Sequence, residues 1–309
     1  MTHSENISRY QDNPLVSIII ANYNYARFIG QAIDSALSQT YQNIEVIVVD
    51  DGSTDNSQKI IASYGERVVT VFKDNAGQCS CYNVGFATSR GQIICFLDSD
   101  DILLPEKVAE VVKAFKSSEE LGWCFHNLRW VDENAELLLK SSTQRSSREC
   151  DFRNMLKSGK LPPALPASSA LCFRRSLLDK ILPMPIAKAV SCSDFYVKYM
   201  AVALSKGCFL GKVLAHHRIH ANNAATLRND RQHLRAREFI FTGYWISKEF
   251  QCLKKFANKL VAIGISLQWH AGNNDYENNK IIKDYLIITS FLEKMEINLK
   301  ACFYYLKAS

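Results

Sequence analysis

No stretch of this chain strings together the ~18 apolar residues that a membrane-crossing helix requires, so no transmembrane span is expected. Met1 to Asn13 is polar and holds no apolar run of signal-peptide type. No G-x-G-x-x-G follows the first predicted strand, and a dinucleotide-dependent oxidoreductase would lack the glycine-lined turn its pyrophosphate needs. Ten cysteines are present but follow no framework spacing. Cys79-Ser80-Cys81 is too tight for a zinc knuckle and Cys95 falls within a predicted strand, so most thiols are expected to be reduced, buried and small, which points to the cytoplasm. Charge of one sign is also scarce: 37 Lys and Arg against 31 Asp and Glu leave +6. With no nucleic-acid reader motif beside it, that excess predicts no nucleic acid partner. The basic residues gather at Arg174-Arg175 and from Arg228 to Arg237, which suits a phosphate-bearing substrate, an anionic membrane face or a solvated helix face. No internal repeat is evident.

What is present is acid at strand ends. Ile93-Ile94-Cys95-Phe96-Leu97 reads as a buried strand, and it runs into Asp98-Ser99-Asp100-Asp101. Open α/β sheets bind ligands beyond the carboxyl ends of their strands, and clustered carboxylates repel one another until a cation joins them. All-oxygen ligands suit Mg²⁺ or Mn²⁺, with Mg²⁺ usually shared between carboxylates and substrate phosphates. A solvated turn or a helix N-cap would use the same residues, so the acidic triplet needs context. A second apolar strand, Ile44 to Val49, ends in Asp50-Asp51-Gly52-Ser53-Thr54-Asp55, where Gly52 suits a positive φ and Thr54 or Asp55 can cap the next helix. A third, Leu15 to Ile20, ends in Ala21-Asn22-Tyr23-Asn24-Tyr25. Three strand ends thus bring polar residues to one edge.

Four blocks in order carry a resemblance: Val16 to Asn24, the helix Ile29 to Tyr41, Val49 to Asp55, and Cys95 to Asp101. Together they resemble the family 2 glycosyltransferases over roughly the first two-thirds of the chain. The resemblance implies an α/β fold of GT-A type, a Rossmann-like, mostly parallel sheet flanked by helices, and transfer of a sugar with inversion at the anomeric carbon. It implies a nucleotide-sugar donor, a UDP-sugar by our reading, with Mn²⁺ or Mg²⁺ as cofactor. The base and ribose would lie against Ala21, Asn22 and Tyr23, and Asp51 would accept from the pyrimidine N–H. Asp50 would point back to cap the turn. Asp100 would ligate the metal, Asp98 would contact the ribose or the metal-bound shell, and Asp101 would support the site or approach the sugar. Gly77 would let its loop pass close to the nucleotide, beside Gln78. Relatives often carry Arg before Asn83, where this chain has Tyr82.

On the acceptor side, Ser191-Cys192-Ser193-Asp194-Phe195-Tyr196 stands where the family shows Glu-Asp, which makes Asp194 the candidate base, although an Asp there could equally cap the helix that follows. Ser193 replaces the first acid. His216-His217-Arg218-Ile219-His220 through Asn223 is similar to the family's Tyr-Arg-x-His-x-x-Asn, so His220 would complete the metal shell and Arg218 would meet the diphosphate. The expected acceptor is a glycan or a lipid-linked saccharide in envelope or exported polysaccharide synthesis. Departures at Tyr82 and Ser193 keep open a non-catalytic nucleotide-sugar-binding partner of the same fold.

Composition shifts divide the chain into a flexible tail (1–14), a catalytic domain (15–227, with a nucleotide-binding half 15–101 and an acceptor half 102–227) and a helical C-terminal segment (228–309). In the acceptor half, Val108, Val111, Val112 and Phe115 recur at helical spacing, Gly122 to Val131 and Phe209 to Ala215 read as strands, and Ser141 to Ser147 and Pro162 to Pro166 read as loops. The spacing predicts C-terminal helices over Phe239 to Phe256, Lys259 to Trp269 and Ile281 to Tyr305, with Asn273-Asn274-Asp275 as a turn. Their apolar faces suit core packing, a homodimer contact or peripheral membrane association.

Overall fold

The computed structural model describes residues 13–139, 144–186, 194–221, 223, 231–272 and 275–308. Most of the expected tail, Ser141 to Thr143, Ser191 to Ser193, Asn222, Arg228, Asn273 and Asn274 lie outside them.

Four parallel strands, β1 (Val16–Asn22), β2 (Ile44–Asp50), β3 (Val69–Phe72) and β4 (Ile93–Asp98), lie in the order β3-β2-β1-β4. Alternation along each strand splits its side chains between two cores. Ile18, Ile20, Val46 and Val48 meet helices α1 (Ile29–Leu37) and α4 (Lys107–Ser117). Ile19, Ala21, Ile47 and Val49 point to the other face, toward α3 (Gln78–Thr88), and α2 (Ser57–Ala62) completes the crossovers. Both faces are covered, which is why the strands read as continuous apolar runs. The register sets Asn22 beside Asp50 and Ala21 beside Asp98, so three strand ends share one edge.

The strands after β4 extend the sheet with mixed polarity. β8 (Leu171–Arg174) is antiparallel to both β4 and β6 (Leu121–Val131), and β9 (Lys206–Arg218) runs parallel to β6. The short β5 (Ile102–Leu103) and β7 (Arg148–Cys150) flank β9, with α5 (Arg153–Lys157), α6 (Arg175–Leu178) and α7 (Asp194–Leu204) packed outside. β9 runs three residues beyond the predicted strand, because His216 and Arg218 find partners in β5 and β6, and this carries His216 to Arg218 to the acidic edge. Cys95, Cys172, Cys124 and Cys208 form a cross-strand row of buried free thiols.

The C-terminal segment folds as α8 (Arg231–Glu249), α9 (Lys254–His270), α10 (Tyr276–Ile287) and α11 (Phe291–Ala308), with α8 and α9 sharing the core beneath α3 and α7. The helix predicted over Ile281 to Tyr305 is two helices. Ser290 and Glu293 cap the second reciprocally: Ser290 N–H and Oγ donate to Glu293 Oε2 at 2.9 and 2.8 Å, and Glu293 N–H returns to Ser290 Oγ at 3.4 Å.

One buried group in β6 makes stability depend on pH. His126 is fully buried, with Nδ1 2.9 Å from the Asn127 carbonyl, and burial, aided by the nearby Lys107 charge, pushes its pKa down to about 3. Its ordinary value is 6.5, so the unfolded chain takes up a proton that the folded chain refuses between those two values. Stability is therefore expected to fall as pH drops below 6.5, by about 2 kcal/mol between pH 7 and pH 5 from this group alone. Urea unfolding at the two pH values checks this, and His126→Gln should shrink the difference by that amount.

Candidate active site

At the carboxyl ends of β1 and β2, the Asp50 carboxylate accepts from Asn22 Nδ2 (2.7 Å), Ser53 N–H (2.9 Å), Ser53 Oγ (2.6 Å) and Gln58 Nε2 (2.9 Å). That network closes the turn around Gly52, whose φ is 75°. Its neighbour Asp51 turns the other way: it accepts from the N–H groups of Ala76 (3.0 Å) and Gly77 (2.7 Å) and pairs with the Lys73 ammonium. The loop 73–77 is thereby drawn over the strand ends, with Gly77 at φ 86°. A cavity of about 470 Å³ lined by Gly52, Ser53, Gln58, Phe72, Lys73 and Asp74 opens here. Tyr23 presents an exposed ring at the same edge, beyond the buried Ala21 and Asn22.

The acidic loop after β4 is held from three sides. Asp101 is fully buried and accepts from Ser169 Oγ (2.6 Å) and Arg218 N–H (2.8 Å), with His217 Nδ1 at 3.1 Å. Ser169 also accepts the Asp98 N–H at 3.1 Å, so one hydroxyl ties both ends of the loop. Burial alone would disfavour a charged His217, but Asp101, then Asp100 and Asp98, outweigh it and hold its pKa at about 9. Asp100 is set differently: its Oδ2 lies 3.1 Å from His220 Nε2 and 3.1 Å from Asn223 Nδ2. Burial, and the Asp101 charge against relief from His220, raise its pKa. The His220 ring is itself fixed by Phe28 (4.8 Å between centroids) and Tyr25 (5.7 Å).

Asp98 accepts from Gln78 Nε2 (3.0 Å) and Tyr82 Oη (3.3 Å). Its pKa is raised well above the carboxylate range by burial and then by the charges of Asp101, Asp100 and Asp194. Asp194 therefore belongs to the same electrostatic site. It opens α7, and its Oδ2 accepts from Lys198 Nζ one turn later at 2.8 Å. The Asp100–His220 pair offers one carboxylate oxygen and one imidazole nitrogen, donors that Mn²⁺ accepts, while among the described residues no group of three or more His, Cys, Asp and Glu side chains is arranged to hold a metal ion.

One expected contact takes another form. Arg218 was expected at a diphosphate, but its guanidinium is buried and donates to Asp100 O (2.7 Å), Glu133 O (2.7 Å) and Gln31 Oε1 (2.6 Å), stacked 4.7 Å from the Phe28 ring. It clamps the acidic loop from behind. Tyr82 is fully buried and stacked on Phe96 at 4.1 Å between centroids. Among the residues that sequence reasoning missed are Lys73, Ser169 and Lys198, which meet the site's acids from 22, 68 and 4 residues away. Only Lys198, at helical i+4 spacing from Asp194, left a readable signal.

A mixed α/β sheet that gathers acidic strand ends beside an aspartate–histidine pair is an arrangement a glycosyltransferase can present, and comparison with known proteins gives that class. The sequence profile of glycosyl transferase family 2 matches residues 17–182. An uncharacterised glycosyltransferase of Nostoc sp. strain PCC 7120 is 36% identical over 212 residues, 67% of this chain and 66% of that protein's length. The chain therefore belongs to glycosyl transferase family 2. Staphylococcus aureus TarS 1–349 in complex with UDP-GlcNAc superposes with a TM-score of 0.63 at 16% identity, over 94% of this chain and 89% of that one. The mannosyltransferase PcManGT from Pyrobaculum calidifontis, in complex with GDP-Man and Mn²⁺, superposes with a TM-score of 0.52 at 17% identity, over 96% and 86%. Both share the fold.

Proposed function

We propose that this chain transfers a sugar, with inversion, from a UDP-sugar to a hydroxyl of a glycan or lipid-linked acceptor in the synthesis of envelope or exported polysaccharide. The convergence of Asp98, Asp100 and Asp194 on one edge beside His220 carries this reading. UDP as the nucleotide draws support from the TarS complex with UDP-GlcNAc, and a divalent metal from the PcManGT complex with Mn²⁺. In this reading 15–227 is the catalytic domain, 15–101 binding the nucleotide and 102–227 the acceptor, and 228–309 is its helical cover. The reaction belongs in the cytoplasm, at the inner membrane face where the acceptor is lipid-linked. No helix among the described residues is long and apolar enough to cross a membrane.

Each side chain then has a task. Asp51 and Asn22 shape the base pocket, Tyr23 offers a ring to stack on, and Gly77 lets backbone approach the nucleotide. Asp100 and His220 would hold Mn²⁺ or Mg²⁺, which supplies positive charge where the diphosphate leaves. Asp194 takes the proton from the incoming hydroxyl as that oxygen attacks the anomeric carbon, and Lys198 fixes the carboxylate's orientation. The Lys198 pair also favours a second reading: a carboxylate already neutralised is what a non-catalytic nucleotide-sugar binder would keep.

Thermal unfolding with UDP, GDP, TDP and CDP, each with and without Mn²⁺, tests the donor assignment. UDP at about 100 times its Kd is expected to stabilise the fold by roughly 2.7 kcal/mol, and only with metal. Stabilisation by GDP alone would move the donor to a GDP-sugar; stabilisation by none would remove the donor site from the proposal.

A further inference from the structure

α11 is apolar on two opposite faces. One face, with Ile297 and Ala301 fully buried, packs on α9, tied at its ends by Lys254 to Glu293 (3.0 Å) and by Tyr305 against the rings of His270 and Trp269. The outward face repeats Phe291, Leu292, Met295, Leu299, Phe303 and Leu306, at spacings of three, four and seven, and all six are 48–76% exposed. The exposed Cys302 lies within the stripe, and Ile287 at the end of α10 and Ile288 just after it are exposed as well. At about 200 Å² for each large side chain and these exposures, the six offer roughly 800 Å² of apolar surface, the size a standard interface takes from each partner.

The geometry points to a second copy of this chain as the occupant, paired α11 against α11, antiparallel, about a two-fold axis beside Leu299. The positions are self-complementary about that residue. Met295 and Phe303 stand four residues either side of it, and Leu292 and Leu306 stand seven, so an isologous pair sets Leu299 on Leu299, Met295 on Phe303 and Leu292 on Leu306. The charges beside the stripe carry the same order. On one flank Glu293, held by Lys254, and Glu296, which pairs with Lys300 of its own helix, lie toward the N-terminal end, and Lys300 and Lys307 lie toward the other, so the antiparallel pair turns the acidic end of each helix toward the basic end of the other. A parallel pair would oppose like charges. An anionic bilayer favours helices flanked by Lys and Arg throughout, which this flank is not. The pairing is independent of the sugar-transfer reading, because α11 lies outside the acidic site.

The test is the mass of the full chain in solution at about 10 µM, by light scattering and sedimentation. Twice the 35.0 kDa protomer mass is expected. Leu299→Lys sets two ammonium groups against each other at the axis and should weaken dimerisation about 100-fold or more, leaving a folded monomer whose melting is unchanged because Leu299 is 67% exposed. A wild-type chain that stays monomeric overturns the proposal. So does a Leu299→Lys variant that stays dimeric, or a monomer that co-sediments with phosphatidylglycerol vesicles.

Discussion

Asp100→Ala is expected to lower the rate of sugar transfer at least 100-fold and to abolish the metal-dependent part of nucleotide stabilisation, with the fold intact. The magnitude follows from what the residue would do: an electrostatic group aimed at charge that develops in the transition state is typically worth 10²–10³ in rate. Asp100 is placed for this by its surroundings, since Arg218 grips its carbonyl from behind and Asn223 and His220 meet its Oδ2. Its carboxyl is also under strain before any ligand arrives, because burial and Asp101 raise its pKa. An acid whose folded pKa is raised costs stability once pH rises past its unfolded value, so ligand-free Asp100→Ala should melt at or above the wild type at pH 7. Asp101→Asn should do the reverse. Asp101 is fully buried among Ser169, His217 and the Arg218 N–H, so its loss should lower melting even without nucleotide. Calorimetry on both variants, with and without UDP and Mn²⁺, separates the two roles. Metal-dependent binding that survives Asp100→Ala would take the metal away from this residue.

The strand ends were legible in the sequence because β-branched runs stop abruptly at acids, and the physics of a two-face-covered sheet leaves that pattern locally. The pairing of Asp100 with His220 was legible only through the resemblance, since nothing in 120 residues of spacing marks it. What stayed hidden was the use of side chains as struts. Arg218 reads from sequence as a free cation beside histidines, yet the folded chain spends its donors on Asp100, Glu133 and Gln31. Ser169 sits in a bland Ala-Ser-Ser-Ala stretch and becomes the hydroxyl that joins Asp98 to Asp101. Lys73 looks like a surface lysine at the end of an edge strand until Asp51 is placed beside it. The break between α10 and α11 was readable in principle. Ser290-x-x-Glu293 is a capping box, but the apolar periodicity on either side of it runs through in phase and masks the stop.

Asp194→Asn is expected to cut kcat by 10²–10⁴, the range a positioned general base contributes, while nucleotide-sugar binding changes little. The substitution keeps the side chain's shape and its place at the first turn of α7, so a purely structural role should be nearly preserved. What it removes is the anion. Lys198 would then face a neutral amide, and the ammonium, which is buried and raised in pKa despite burial by Asp194, should lose that support and titrate lower. Lys198→Met makes the complementary test: with the ammonium gone, Asp194 is less well held, so kcat should fall while nucleotide-sugar binding changes little. A base role predicts that fall together with the near-complete loss in Asp194→Asn. A cap role predicts a small loss of melting temperature in Asp194→Asn and an unchanged kcat in Lys198→Met. Transfer at an undiminished rate by Asp194→Asn would remove the base from this residue and return the site to the binding reading that the Asp194–Lys198 pair also supports.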